Sequence, residues 1–296
     1  MAAVLVVLAA GILVVRPDAR QYVSFQLSDK VGAPAHAEAL EPFAPDDAPL
    51  VRLAVAGDVG TGGDAERRTA DAMDALEDER PYDALLLLGD NVYPDGDPDQ
   101  LDRAVFEPFA GVLDDDTQLL AVLGNHDVED GNGDEHAAAI GMPARWYATE
   151  IGDVLILALD STRPDDPDQL VWLEETLAAS DATWTIATMH HPPYSSGYHG
   201  SNLGVRDAFA PLFETYGVQL VLAGHDHDYQ RSQTIDGVTY MVSGAAAKTR
   251  STSRADFTEA AWSTYHFVDL AVWPDRLELR AVDQQGQVFD SVSLNP

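Results

Sequence analysis

Ala84-Leu85-Leu86-Leu87-Leu88-Gly89-Asp90-Asn91-Val92-Tyr93 is the stretch on which the reading of this 296-residue chain turns. Its five leading apolar residues, bounded by Asp83 and Gly89, read as a short strand buried on both faces of a parallel sheet. A carboxylate just beyond the carboxyl end of such a strand stands in the crevice where open α/β sheets bind ligands. Asp90 is therefore placed for chemistry, but a lone Gly-Asp serves equally well to cap a turn. The residues around other strand ends decide between the two.

The same grammar of apolar strand, polar loop and helix extends in both directions. Upstream, Val51 to Ala56 runs into Gly57-Asp58-Val59-Gly60, and a helix bearing Ala65, Thr69, Ala72, Met73 and Leu76 on one face ends before Pro81. Downstream come a helix from Asp99 to Phe109 and a strand, Leu119 to Leu123, that ends in Gly124-Asn125-His126-Asp127. Val154 to Leu159 ends at Asp160, and a helix follows over Gln169 to Ala179. Trp184 to Thr188 leads into Met189-His190-His191-Pro192. After a helix over Val205 to Tyr216, Val218 to Leu222 leads into Gly224-His225-Asp226-His227-Asp228. Asp236-Gly237 and Pro274-Asp275 then mark hairpins between alternating strands. The expected fold is a single α/β domain over residues 50–296, whose last third adds antiparallel strands to a second sheet. There is no internal repeat.

Composition narrows the partners. Fifty acidic residues against 17 basic ones give a formal charge of −33, with Lys30 and Lys248 the two lysines. Such a surface repels phosphate backbones, which argues against nucleic acid as a partner. Acidic, lysine-poor surfaces are a halophile's lever, and a salt-adapted source is the leading explanation over a merely acidic secreted protein. Screening shortens from ~10 Å at 0.1 M salt to ~3 Å at 1 M. The melting temperature is therefore expected to be higher in molar KCl than in dilute buffer; an equal or lower value would remove the salt-adaptation reading. With no cysteine, neither a disulfide framework nor a thiolate metal site is available.

Residues 2–15 are uninterrupted and apolar, yet 14 residues fall short of the ~20 that a spanning helix needs. No basic residue precedes them, Arg16, Arg20 and Lys30 follow, and the small-residue sites near Ala35 to Ala39 lie far downstream. The expectation is an uncleaved membrane anchor, or a mis-assigned start, rather than a cleaved signal. Location is then at a membrane or outside it, with the cytoplasm as the alternative. Residues 16–49, punctuated by Pro17, Pro34, Pro42, Pro45 and Pro49, read as a linker.

Five strand ends thus carry Asp58, Asp90, Asn125, His190 and the pair His225 and His227. Oxygen and imidazole donors without thiolate suit Mn, Fe or Zn, and a carboxylate shared by two ions makes a dinuclear site. Any one of these residues is explained by capping or packing; the whole set is not. His36, His136 and His266 lack ligand-spaced partners and read as surface or packing residues, and Asp160 reads as a turn. Asp130-Gly131-Asn132-Gly133-Asp134 imitates a calcium loop, but Glu135 and Gly141 occupy positions needing Gly and Glu.

Gly57-Asp58, Gly89-Asp90, Gly124-Asn125-His126-Asp127, the His190 block and Gly224-His225-Asp226-His227 together resemble the calcineurin-like metallophosphoesterases, in that family's order. Many members carry His two residues after the first Asp, where this chain has Gly60. Tyr93, three residues after Asp90, is similar to the compensating ligand of the purple acid phosphatase branch. The segments His190 to Gly200 and Thr215 to Val218 look like its small tartrate-resistant form. The resemblance implies an αββα sandwich of two mixed sheets flanked by helices, covering residues 50–248 and more loosely the final strands.

It also implies two metal ions. The first, Fe(III), would take Asp58, Asp90, Tyr93 and His227; the second, Fe, Zn or Mn, would take Asp90, Asn125, His190 and His225. Metal-bound hydroxide would attack phosphorus in line, with His126 and His199 stabilising phosphoryl oxygens or protonating the leaving group. His191 competes with His190 for its place, and the family pattern favours His190. The expected reaction is hydrolysis of small phosphate monoesters. A phosphodiesterase or nucleotidase is the alternative within the chemistry; a non-catalytic metal- or phosphate-binding surface protein is the alternative outside it. The chain does not disclose its oligomeric state.

Overall fold

In the computed structural model, the described residues are 17–41, 43–44, 47–77, 81–113 and 116–296. The apolar segment 2–15 lies outside them. Among the described residues no helix is long and apolar enough to cross a membrane.

Strands β1 (Glu38–Ala39), β2 (Val51–Ala56), β3 (Ala84–Leu87) and β4 (Gln118–Ala121) belong to one sheet. Its remaining members are β12 (His266–Val272), β13 (Leu277–Asp283) and β14 (Gln287–Leu294), in the order β1-β14-β13-β12-β2-β3-β4. The other sheet contains β5 (Tyr147–Ile151), β6 (Val154–Ala158), β7 (Trp184–Thr188), β8 (Leu220–Ala223), β9 (Tyr229–Ser232), β10 (Thr239–Ser243) and β11 (Thr258–Trp262). Its order is β11-β9-β10-β8-β7-β6-β5. Each sheet is mixed: β2, β3 and β4 run parallel, as do β6, β7, β8 and β10, with antiparallel strands outside them. The final strands therefore do not all extend one sheet. The hairpin at Asp236-Gly237 joins β9 to β10 in the second sheet, while the one at Pro274-Asp275 joins β12 to β13 in the first.

Alternation along the strands builds the layers. Ile156, Ile186, Leu220, Leu222 and Met241 of the second sheet pack toward the first, in one core with Leu53, Val55, Leu86, Phe267 and Leu270. Leu155, Leu157, Ala187 and Val221 point the other way. They cover helices α4 (Pro167–Ala179) and α5 (Leu203–Tyr216) through Leu173, Leu177, Phe209 and Phe213. On the outer face of the first sheet, α2 (Asp64–Glu77) contributes Ala70, Met73 and Leu76. The result is the four-layer αββα sandwich, with α3 (Gly133–Ile140) beside the β4 loop. Helix starts follow their caps. Asp166 accepts from the amides of Asp168 and Gln169 ahead of α4, and Asn202 accepts from the Val205 amide at the start of α5.

Two expectations need correction. The stretch expected as an α-helix from Asp99 to Phe109 is a 3₁₀ turn, Pro98–Gln100, followed by a π turn, Asp102–Phe106. The wider turn lets Ala104, Val105 and Phe109 all be buried while Arg103 Nη1 donates to the Thr61 carbonyl at 2.8 Å. The stretch 16–49 is also more than a linker: it contains helix α1 (Pro17–Leu27), and β1 pairs with β14. Phe25 is the one large apolar residue that α1 buries, too little for a periodic signal.

Candidate metal centre

The carboxyl ends of β2, β3 and β4 in one sheet and of β7 and β8 in the other open toward the same crevice. The loops leaving them carry Asp58, Asp90, Asn125, His190, and His225 with His227. Three of these residues hold left-handed backbone conformations: Asp58 (φ 58°), Asp90 (φ 52°) and His225 (φ 71°), out of five non-glycine residues with positive φ among those described. Side chains rarely accept that conformation, so the strain is concentrated where the donors converge.

Local hydrogen bonds aim each donor. His225 N–H donates to Asp58 Oδ2 at 2.8 Å, and His126 N–H donates to Asp90 Oδ1 at 3.0 Å. The loops after β3 and β4 are pinned together by buried Asp127. Its carboxylate accepts from the amides of Asn91 (2.9 Å), Val92 (3.2 Å) and Gly124 (2.8 Å), and from Asn91 Nδ2 at 2.9 Å. Gly60 shows why no imidazole stands two residues after Asp58. A Cβ there would lie 2.4 Å from the Val92 amide nitrogen and 2.5 Å from the Asn91 carbonyl carbon. The loop after β2 is closed onto the loop after β3 by Tyr93 N–H to the Gly60 carbonyl at 2.8 Å.

Two clusters result. Tyr93 Oη donates to Asp58 Oδ1 at 3.1 Å and lies 3.3 Å from His227 Nε2, which is itself 3.3 Å from Asp58 Oδ1. Next to them, His190 Nε2 lies 3.1 Å from Asn125 Oδ1, 3.2 Å from His225 Nδ1 and 3.4 Å from Asp90 Oδ1. Ligand atoms of Asp58, Asp90 and His190 all fall within 4.8 Å of one another, which joins the clusters. All seven donors singled out from the sequence are thus brought together. His126 flanks the Tyr93 side, with ring centroids 4.7 Å apart and Nε2 3.9 Å from Asp90 Oδ2. His199 flanks the other, its ring 4.3 Å from that of His225.

His191 also reaches the crevice and, with His190 and His225, forms a second group of the right spacing for a cation. Hydrogen-bond bookkeeping separates the two neighbours. Nδ1–H of His190 donates to the Leu88 carbonyl at 2.8 Å, leaving Nε2 with its lone pair directed at the cluster. The Ser161 hydroxyl accepts from the amides of His190 (3.2 Å) and His191 (2.8 Å), so its hydrogen goes to His191 Nδ1 at 3.0 Å. That places the His191 proton on Nε2 and takes its other nitrogen out of use as a ligand. Burial, then the His190 charge, pushes the His191 imidazole down to about 3.

The electrostatics ask for cations. Burial, reinforced by Asp58 and Asp127, raises the Asp90 carboxyl despite His190. At Asp58, burial is outweighed by the His227 hydrogen bond and the His190 and His227 charges, which hold the carboxyl below its ordinary value. Burial and the Asp58 and Asp90 charges drive the Tyr93 phenol well above its ordinary range. Two buried carboxylates, a phenol and three imidazoles with converging lone pairs are a donor set that fits hard or borderline metal ions and nothing apolar. His136 and His266, expected as packing residues, are fully buried; His136 Nδ1 meets the Gly96 carbonyl at 2.9 Å. Asp160 does more than end a strand: it pairs with Arg145 Nε at 2.8 Å.

Reading the sequence missed four contributors. Ser161 and Asp127 act through backbone amides; Asp127 closes the Gly124-Asn125-His126-Asp127 block, whose spelling does not disclose that role, and nothing in the sequence around Ser161 marks it. Lys248 Nζ stands 3.1 Å from the Tyr93 ring centroid, and Arg250 contacts His199 Nε2. The signal for Lys248 was scarcity, since it is one of two lysines in a chain of charge −33.

A family model described as calcineurin-like phosphoesterase matches residues 51–229. Human tartrate-resistant acid phosphatase type 5 is 31% identical over 239 residues, covering 67% of this chain and 73% of the relative. The solved structure of a purple acid phosphatase from yellow lupin (Lupinus luteus) seeds superposes with a TM-score of 0.73 at 19% identity, covering 87% of this chain and 55% of that one. The Plasmodium protein GAP50, described as the anchor in the inner membrane complex, gives a TM-score of 0.73 at 16% identity, with 83% and 88% covered. At these identities the two structures speak for the fold alone.

Proposed function

The chain belongs to the calcineurin-like phosphoesterase family, and from that premise we propose that it is a two-metal hydrolase of small phosphate monoesters. The observation that carries this reading is the pair of donor clusters joined through Asp58, Asp90 and His190. Asp58, Tyr93 and His227 would hold one ion, Asn125, His190 and His225 the other, with Asp90 shared. Bound there, the ions supply Lewis-acid polarisation of the phosphoryl group and acidify water.

The chain's own residues supply the rest. The Leu88 carbonyl holds His190 in the tautomer that presents Nε2. His126 donates Nδ1–H to the Pro94 carbonyl, which leaves Nε2 to carry a proton toward the leaving oxygen. The Glu129 carboxylate lies 3.3 Å from the same Nδ1. His199 lies over His225 at the opposite wall; Arg250 donates to its Nε2, which leaves Nδ1–H as the group that would meet a phosphoryl oxygen. Lys248 and Arg250 add positive charge at the rim of an otherwise acidic protein, which draws in a phosphate dianion.

Turnover of p-nitrophenyl phosphate against bis-p-nitrophenyl phosphate tests the reading. The monoester is expected to be the better substrate in kcat/KM. A faster diester would move the assignment to the phosphodiesterases, and no turnover of either would favour a binding protein on this fold.

A further inference from the structure

Helix α1 lies outside the span of the family match, yet it is docked against the loop that carries His199. Its inward residues are Gln21 and Phe25, at i and i+4. Gln21 grips both backbone polar groups of one loop residue, Ser201, with the two ends of its carboxamide. Nε2 donates to the Ser201 carbonyl at 3.1 Å, and the Ser201 amide donates to Oε1 at 2.8 Å. The contact is 180 residues distant in sequence, and it is made to the residue after the turn at Gly200. That glycine has φ 74°, and a Cβ on it would lie 2.8 Å from Gln21 Oε1.

Aromatic packing repeats the same tie one step earlier in the loop. The Tyr198 ring meets Tyr22 and Phe25 edge-on, at centroid distances of 6.0 and 5.9 Å, and Phe25 is buried. The chain leaving α1 is tied down as well: Val31 bridges to Thr252, and the Gly32 carbonyl accepts from the Ser263 amide at 3.0 Å. His199 thus stands between two holds. On its inner side its amide donates to buried Asp226 Oδ1 at 2.7 Å; on its outer side the Tyr198 ring and the Ser201 peptide are held by α1. Its imidazole is exposed and is touched by Arg250 at Nε2 and by the Tyr198 and His225 rings, so its place over His225 depends on where the loop backbone carries it.

We propose that Gln21 is a positioning residue for the reaction, holding the Gly200–Ser201 turn so that His199 stays over the metal centre. The proposal rests on the reading of His199 as a group that meets the phosphoryl oxygens. Without the carboxamide, the turn at Gly200 keeps the Ser195–Ser201 bonds, at 3.0 and 3.2 Å, and the Asn202 amide to the Pro192 carbonyl, at 2.8 Å, but loses its polar tie to α1, and His199 leaves its working position for part of the time. Losing a residue that orients a working group costs ~10–100-fold in comparable supporting shells.

The test is a double-mutant cycle on phenyl phosphate with Gln21→Ala, His199→Ala and the pair, measuring kcat, KM, metal content and amide hydrogen exchange over residues 195–203. Gln21→Ala is expected to lower kcat about tenfold, with KM, metal content and melting temperature close to wild type and faster exchange in the loop. In the His199→Ala background it should cause no further loss. Gln21→Glu, which keeps the acceptor for the Ser201 amide and loses the donor, should fall between. Phe25→Ala, which loosens α1 without touching Ser201, should act in the same direction. Wild-type kcat in Gln21→Ala, or an equal loss in both backgrounds, would overturn the proposal. So would a His199→Ala enzyme as fast as wild type, which removes the role of His199 as well; the phosphatase reading stands in each case as long as the wild type turns over the ester.

Discussion

Asp90→Asn is expected to leave the purified protein without its metal ions and, with them, without phosphatase turnover. Asp90 is buried, within 3.4 Å of His190 Nε2 on one side and sharing a metal-capable group with Asp58 on the other. Asp58 and Asp90 are the two carboxylates among the seven donors. Replacing one by a neutral carboxamide removes one of the three negative charges, two carboxylates and the Tyr93 phenolate, that would balance the cations, while the cost of dehydrating them stays. The loss should therefore exceed the ~10–100-fold seen when only a residue supporting a ligand is changed. Metal content and kcat measured on the same preparation check this; a variant that kept both ions and most of its rate would remove Asp90 from the shared position.

His126→Ala should separate what Asp90→Asn takes away together. The side chain is about one-third exposed and is held by the Pro94 carbonyl and Glu129 rather than by the metal donors, so the ions should stay. The rate should fall by a general-acid factor of ~10²–10⁴ on a phenyl or alkyl ester. With p-nitrophenyl phosphate the loss should be smaller, because that leaving group needs little help from a proton. Full activity of His126→Ala on the poor leaving group would show that the proton comes from elsewhere.

Much of the fold was legible because the parallel strands are short and apolar, and four of them, β2, β3, β4 and β8, lead into Gly-Asp, Gly-Asn or Gly-His. Buried β2, β3, β7 and β8 have no polar face to blur the period, and each ends at a site residue. Where strands pair antiparallel near the surface, as β11 and β9 do with a register shift between Thr258 and Ala260, the alternation weakens and the sequence is silent. The π turn at Asp102–Phe106 could not be foreseen, since its composition suits an α-helix equally well. Helix α1 escaped for the reason that now makes it informative. It is held by one carboxamide, one buried ring and a pair of aromatic edges, too few apolar positions to show a helical period.

The site was legible as a set of donors rather than as a geometry. The choice between His190 and His191, adjacent and chemically identical, rests on the Ser161 hydroxyl and the Leu88 carbonyl, 29 and 102 residues away from His190 in sequence. Nor does Gly60 announce that the Asn91 and Val92 backbone fills the space a side chain would need.

The most direct measurement is the visible spectrum of the purified protein, taken together with its metal count and repeated on Tyr93→Phe. An ordinary phenol with a pKa of about 10 lies some 3 units above neutral pH. Here burial, Asp58 and Asp90 push it higher still, so only a strongly charging neighbour would hold it as phenolate. Fe(III) does so better than a divalent ion, and a phenolate bound to it absorbs visible light. The expected result is two metal ions per chain, one of them iron, with a broad visible band that Tyr93→Phe loses while its fold persists. A colourless wild type, fully active with only divalent metal or with a single ion per chain, would contradict it.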